Sequence, residues 1–129
     1  DRQSKREGML YALSKMVTAA RAHHISVLDG VFNDINDLDG LGQECGHGIA
    51  LGFDGKTLIH PQQIEMANRL FAPTSEEIGE AENIIAAFQS PENAGKGVIK
   101  VNGKMTELLH LQQAKRIVAI AAAIKEIES

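Results

Sequence analysis

Leu51-Gly52-Phe53-Asp54-Gly55-Lys56-Thr57-Leu58-Ile59-His60-Pro61 is the stretch on which the reading of this chain turns. Its Gly-Lys-Thr triplet imitates a phosphate-binding loop. Such a loop needs a first glycine five residues before the triplet's own, so that backbone N–H groups can wrap the phosphates. Counting back from Gly55 lands on Ala50. The Thr must also open a helix whose N-terminal donors hold the anion. Thr57 runs instead into Leu58-Ile59-His60 and is closed by Pro61. That is an apolar strand stopped by proline, with His60 as its expected last residue. An ATP or GTP site is not expected here.

Working outward, the chain alternates short apolar runs with helical periodicity. Leu10, Leu13, Val17 and Ala20 predict an amphipathic helix over about residues 7–23. Ser26-Val27-Leu28 then reads as a buried strand ending at Asp29 or slightly beyond. Asn33 to Gly40 is a polar turn cluster, and Leu41 to Leu51 a helix weakened by Gly42, Gly46 and Gly48. After Pro61, Ile64, Ala67, Leu70 and Phe71 mark a helix that Pro73 stops. Thr74-Ser75-Glu76-Glu77 is a capping-box pattern and starts another helix. Ser90 to Gly97 reads as a loop. Val98 to Val101, Asn102-Gly103 and Lys104-Met105 predict a small hairpin. A last helix carries Leu108, Leu111, Ala114, Ile117, Val118, Ala121 and Ile124.

Strand–helix alternation implies a parallel sheet. Two parallel strands alone make a poor sheet, because a parallel sheet needs neighbours and both faces covered. The expectation is therefore that residues 1–129 are the C-terminal part of a longer (β/α) chain, or that other subunits supply the missing strands.

Bulk properties narrow the function. The 129 residues suit one domain, and 43% hydrophobic residues suffice for a core. With aromatics at 4% and no Trp, that core is aliphatic. The net charge of -4 leaves no electrostatic footprint for nucleic acid. No apolar run is long enough to cross a membrane, and Asp1-Arg2-Gln3-Ser4-Lys5-Arg6 is not a secretory signal. The single Cys45 cannot form an internal disulfide, so a reducing compartment, cytoplasm or organelle matrix, is expected.

In α/β barrels, sites gather at the C-terminal ends of strands. Here those ends are Asp29-Gly30-Val31-Phe32 and His60-Pro61, expected near each other on one rim. Asp29 either caps its turn or orders a loop and meets a polar substrate. His60 either bonds its own loop or donates to a carbonyl or phosphate. Lys56, inside the strand, reads as an ion-pair partner rather than a ligand group. Asp34, Asn36, Asp37 and Asp39 fail the calcium-loop register and suit Asx-turns and a helix N-cap. His23, His24, His47, His60 and His110 show no recurrent metal spacing, and no metal ligand is expected in this chain. Cys45, on a glycine-rich helix, reads as a small core residue. Glu107, expected in the first turn of the last helix, is by itself a dipole-complementing surface acid.

From about residue 7 onward the chain resembles the C-terminal half of the citrate lyase β-subunit/malyl-CoA lyase family. The resemblance is carried by Leu10-Tyr11-Ala12 with Ala19-Ala20-Arg21-Ala22, by Asp29-Gly30-Val31-Phe32, and by Asp34 with Asp37 and Asp39-Gly40-Leu41. It continues through Gly52-Phe53-Asp54-Gly55-Lys56, Ile59-His60-Pro61 with Gln63-Ile64, Phe71-Ala72-Pro73, and Gly95-Lys96-Gly97 with Gly103-Lys104-Met105. It implies the end of a TIM (β/α)8 barrel: the last two strands and their helices over residues 1–73, then a helical lid with a hairpin over 74–129. It implies homo-trimers or hexamers in which the lid reaches a neighbouring subunit. The implied chemistry is Mg²⁺-dependent retro-Claisen cleavage, or condensation, of 3-hydroxyacyl-CoA or acyl-carrier-protein thioesters. The metal ligands of the family lie on earlier strands and have no counterpart in this sequence.

On this template Asp29, Gly30, Val31, His60 and Pro61 are rim residues near the thioester. Glu107 takes the place of an acid/base Asp that follows the Gly-Lys-Met hairpin. Its carboxylate stands one methylene further out, and Leu109 replaces a usual proline. Two rival readings remain: a non-catalytic binding and assembly module with a CoA-facing rim, and a thioesterase of the same family.

Overall fold

The computed structural model describes residues 6–129. Residues 1–5, read above only as sequence, lie outside them. The chain divides into two compact units, Asp1–Phe71 and Ala72–Ser129.

In the first unit, helix α1 (Leu10–Ala22) buries Leu13, Val17 and Ala20, the stripe its periodicity predicts. Strand β1 (Leu28–Asp29) follows, then helix α2 (Leu38–Leu51), strand β2 (Gly55–Lys56), a 3₁₀ turn (Pro61–Gln63) and helix α3 (Ile64–Phe71). The strands pair in parallel, Leu28 with Gly55 and Asp29 with Lys56. Flanking bonds from Asp54 N to Val27 O (2.9 Å) and from Thr57 N to Asp29 O (3.0 Å) extend the ladder. Thr57 opens no helix, which removes the phosphate-loop reading.

Side-chain caps set the boundaries. The Asp34 side chain accepts from Asn36 N at 3.2 Å, an Asx-turn, and Asp37 accepts from Gly40 N at 2.9 Å as the N-cap of α2. The cap starts α2 at Leu38, three residues before the expected Leu41. Gly52 ends it at φ 96°, a conformation that favours glycine. Asp54 then ties three segments together. It takes a bidentate pair from Arg21 (2.9 and 2.8 Å) and the Val27 N–H (2.8 Å). Its hydrogen bonds push the Arg21 guanidinium above its ordinary value. Two apolar clusters complete the unit: Leu13, Val17 and Phe53 in one, and Phe32, Leu41 and Cys45 in the other. Phe71 packs against both.

The strand expected to reach His60 stops at Lys56. The Ile59 N–H is taken by the Gln63 side chain at 3.0 Å, and Pro61 starts the 3₁₀ turn that His60 caps. A side-chain acceptor thus replaces the neighbouring strand as partner for this backbone.

In the second unit, helix α4 (Ser75–Gln89) starts with the predicted capping box. Glu77 N donates to Thr74 Oγ1 at 3.2 Å and Thr74 N to Glu77 Oε2 at 2.8 Å. The following loop contains a 3₁₀ turn, Pro91–Asn93. Strands β3 (Val98–Val101) and β4 (Lys104–Glu107) form an antiparallel hairpin. Asn102 and Gly103 both take positive φ (48° and 80°), as a two-residue Asn-Gly turn requires. Helix α5 (Leu108–Glu128) packs on α4, and Ala114 and Ala81 are buried in the two helices. Glu107 is the last residue of β4 and the N-cap of α5, not a member of its first turn. Among the described residues no helix is long and apolar enough to cross a membrane.

Candidate functional site

The C-terminal end of β1 opens on a cavity of about 460 Å³ within the first unit. Arg6, Leu13, Asp29, Gly30, Val31 and Glu44 are among its lining residues. The volume lies in the range of small-molecule sites.

The pairing of Asp29 with Lys56 places a carboxylate and an ammonium on adjacent strands. Both are buried, at 2% and 8% exposure. Lys56 Nζ lies 3.3 Å from Asp29 Oδ2 and 2.5 Å from Glu44 Oε1. Arg6 completes a neutral cluster of two cations and two carboxylates. Its Nη2 meets Asp29 Oδ2 at 2.6 Å and its Nη1 meets Glu44 Oε1 at 2.9 Å. The Arg6 Nε–H donates to His47 Nδ1 at 2.7 Å, so that nitrogen carries no proton. Buried charges persist when each is matched in this way. Among the described residues no buried side-chain polar atom lacks a partner.

Lys56 is therefore the ion-pair partner its strand position predicts. Arg6, Glu44 and His47 are not legible as a site from sequence. One signal exists: Glu44 and Gly48 are one helical turn apart, on the side where Leu41 and Cys45 are buried.

The rim residues separate. Asp29, Gly30 and Val31 line the cavity; His60 and Pro61 do not. His60 Nδ1 accepts from Gln62 N at 3.2 Å, which leaves Nε2 for any ligand. The two tips are nonetheless tied. Gln63, 0% exposed, donates Nε2 to the Phe32 carbonyl at 2.9 Å while holding the Ile59 N–H. Glu107 belongs to the second unit and is exposed; its N–H donates to His110 Nδ1 at 3.0 Å. Cys45 is 0% exposed, and burial pushes its thiol above the ordinary value. It is a core residue and not a nucleophile.

Among the described residues no group of three His, Cys, Asp or Glu side chains can hold a metal ion. Asp29 and Glu44, the carboxylates of the cavity, are already matched by Arg6 and Lys56. These residues do not fit Mg²⁺.

The sequence pattern of the HpcH/HpaI aldolase/citrate lyase family matches residues 1–61. A (3S)-malyl-CoA thioesterase of Cereibacter sphaeroides (strain ATCC 17025 / ATH 2.4.3) is 51% identical over 87% of this chain and 39% of its own length. The citrate lyase subunit beta of Leuconostoc mesenteroides subsp. cremoris is 42% identical over 94% of this chain and 40% of its own. The crystal structure of CitE from Mycobacterium tuberculosis, in complex with magnesium, acetoacetate and coenzyme A, superimposes with a TM-score of 0.69. It is 29% identical and covers 87% of this chain and 40% of its own. The chain thus spans about two-fifths of the length of these relatives. It shares their helix-rich α/β architecture and belongs to the HpcH/HpaI aldolase/citrate lyase family.

Proposed function

We propose that this chain is the C-terminal part of a TIM-barrel carbon–carbon lyase acting on a 3-hydroxyacyl-CoA thioester, with residues 1–73 closing the barrel and 74–129 forming its lid. The observation that carries the reading is the identity of 42–51% with named thioester and citrate lyase enzymes over 87–94% of the chain. Mg²⁺, which the reading also requires, is assigned to residues outside this chain.

Retro-Claisen cleavage breaks the bond between the α-carbon and the hydroxyl-bearing carbon of the acyl group. The hydroxyl loses its proton and becomes a carbonyl. The acetyl thioester leaves as an enolate, whose carbon then takes a proton. Glu107 is assigned as the acid/base for that proton, reaching the site of a neighbouring subunit in a homo-trimer or hexamer. Asp29, Gly30, Val31, His60 and Pro61 are assigned to the rim that shapes the thioester site.

A second reading is supported by the 51% identity to a (3S)-malyl-CoA thioesterase. In hydrolysis, water adds to the thioester carbonyl and the thiol of CoA leaves. The products decide between the two. Incubating the complete protein with malyl-CoA and Mg²⁺ gives acetyl-CoA and glyoxylate in the first case, and free CoA and malate in the second. Glu107→Ala lowers kcat by about a hundredfold or more if Glu107 moves the proton. Unchanged turnover removes Glu107 from the mechanism, and no turnover of any CoA thioester leaves only the binding and assembly module.

A further inference from the structure

We propose that Asp29 is a positioning residue, which serves the cavity by fixing the Gly30 N–H and does not itself touch the substrate. The proposal takes its substrate from the reading above, while its geometry stands apart from it.

Asp29 is buried, whereas Gly30 is exposed and Val31 is 41% exposed. At this rim the accessible surface is therefore that of Gly30 and Val31 rather than that of the Asp29 carboxylate. Both carboxylate oxygens are engaged. Oδ1 accepts from Gly30 N at 2.9 Å. Oδ2 is shared by Arg6 at 2.6 Å and Lys56 at 3.3 Å. Gly48 stands against the same oxygen, where a Cβ would lie only 2.8 Å away. The cations fix which way the carboxylate lies, and the carboxylate fixes the Gly30 N–H. The direction of the Gly30–Val31 backbone is thus set by Arg6 and Lys56 acting through Asp29.

Asp29→Asn separates this role from direct contact. The amide has one acceptor oxygen for two demands. It can face the cations or the Gly30 N–H, and turning its NH₂ to either sets donor against donor. Adding Arg6→Met removes the closer competitor and returns the cluster to neutrality, because Lys56 keeps Glu44 at 2.5 Å. Lys56, more distant at 3.3 Å and held by Glu44, then competes more weakly, so the amide oxygen can turn to Gly30.

In the complete protein, Asp29→Asn should raise KM for malyl-CoA about tenfold with kcat within about threefold, and the double variant should bring KM back to within about threefold of wild type. Amide hydrogen exchange at Gly30 should speed up in the single variant and recover in the double. If the double variant is as impaired as the single while Gly30 exchange is unchanged in both, Asp29 contacts the substrate and the proposal is overturned. If the single variant does not fold, the double is compared with Arg6→Met alone. Equal KM upholds the proposal, and a further loss overturns it. If the wild type turns over no CoA thioester, the reading above falls, and Gly30 exchange alone decides the positioning role.

Discussion

Gln63 binds Phe32: its side-chain Nε2 donates to the Phe32 carbonyl at 2.9 Å, deep in the first unit. Its Oε1 holds the Ile59 N–H at 3.0 Å, so one amide bridges the segments that follow the two strands. Gln63→Leu removes both hydrogen bonds and sets an apolar side chain against the part-buried Ile59 N–H. The expected loss is about 1–3 kcal/mol. Chemical denaturation of wild type and variant measures it, and an unchanged midpoint would refute the bridge.

Helix α2 offers a matched pair of glycines. A Cβ at Gly46 meets nothing within 4 Å, whereas at Gly48 it comes within 2.8 Å of Asp29 Oδ2. Gly46→Ala should stabilise by about 0.5–1 kcal/mol through helix propensity alone. Gly48→Ala gains the same propensity but forces Asp29 aside, for a net loss of about 1–3 kcal/mol. Thermal melts of the two variants should shift in opposite directions. Shifts of the same sign would mean that Asp29 does not lie against α2.

Cys45 links stability to alkaline pH. Burial holds the folded thiol above its ordinary value, so the folded state keeps a proton that the unfolded state releases. Stability from this group is whole below the unfolded thiol's pKa, about 8.5. It is lost as pH rises from there through the folded value. Denaturation midpoints should therefore fall above about pH 8.5, and the fall should be smaller in Cys45→Ala. The native thiol should also resist alkylation until denaturant is added; rapid labelling of native protein would contradict its burial.

The Thr74–Glu77 capping box is a local test in the second unit. Thr74→Ala removes the acceptor for Glu77 N and should cost about 1 kcal/mol. Thr74→Ser keeps a hydroxyl and should restore most of it. Equal loss in both variants would show that the methyl group matters more than the hydrogen bond.

Features that depend on close neighbours along the chain are legible in the residues themselves. The Leu13, Val17 and Ala20 stripe, the Thr74 cap and the Asn102-Gly103 turn are each fixed by a few adjacent residues. Lys56 as an ion-pair partner is legible for a related reason, since an ammonium inside an apolar strand must be matched. The Gly52-Phe53-Asp54-Gly55-Lys56 and Ile59-His60-Pro61 strings likewise point to the family to which the chain belongs.

His60 marks where that legibility ends. Leu58-Ile59-His60 has the composition of a strand, and the apolar run alone predicts one. It is a capped turn because Gln63, four residues past Ile59, supplies the acceptor that a neighbouring strand would have given. Arg6, Glu44 and His47 are hidden by a different cause, distance along the chain, Arg6 lying 38 residues before Glu44 and 41 before His47. Helices, caps and turns follow from the order of residues, because their energies come from bonds spanning a few positions. That Asp29 is neutralised by Arg6 and Lys56, with both its oxygens occupied, follows only from packing. Desolvation makes that matching obligatory, and burial is a property of the folded chain rather than of any local run.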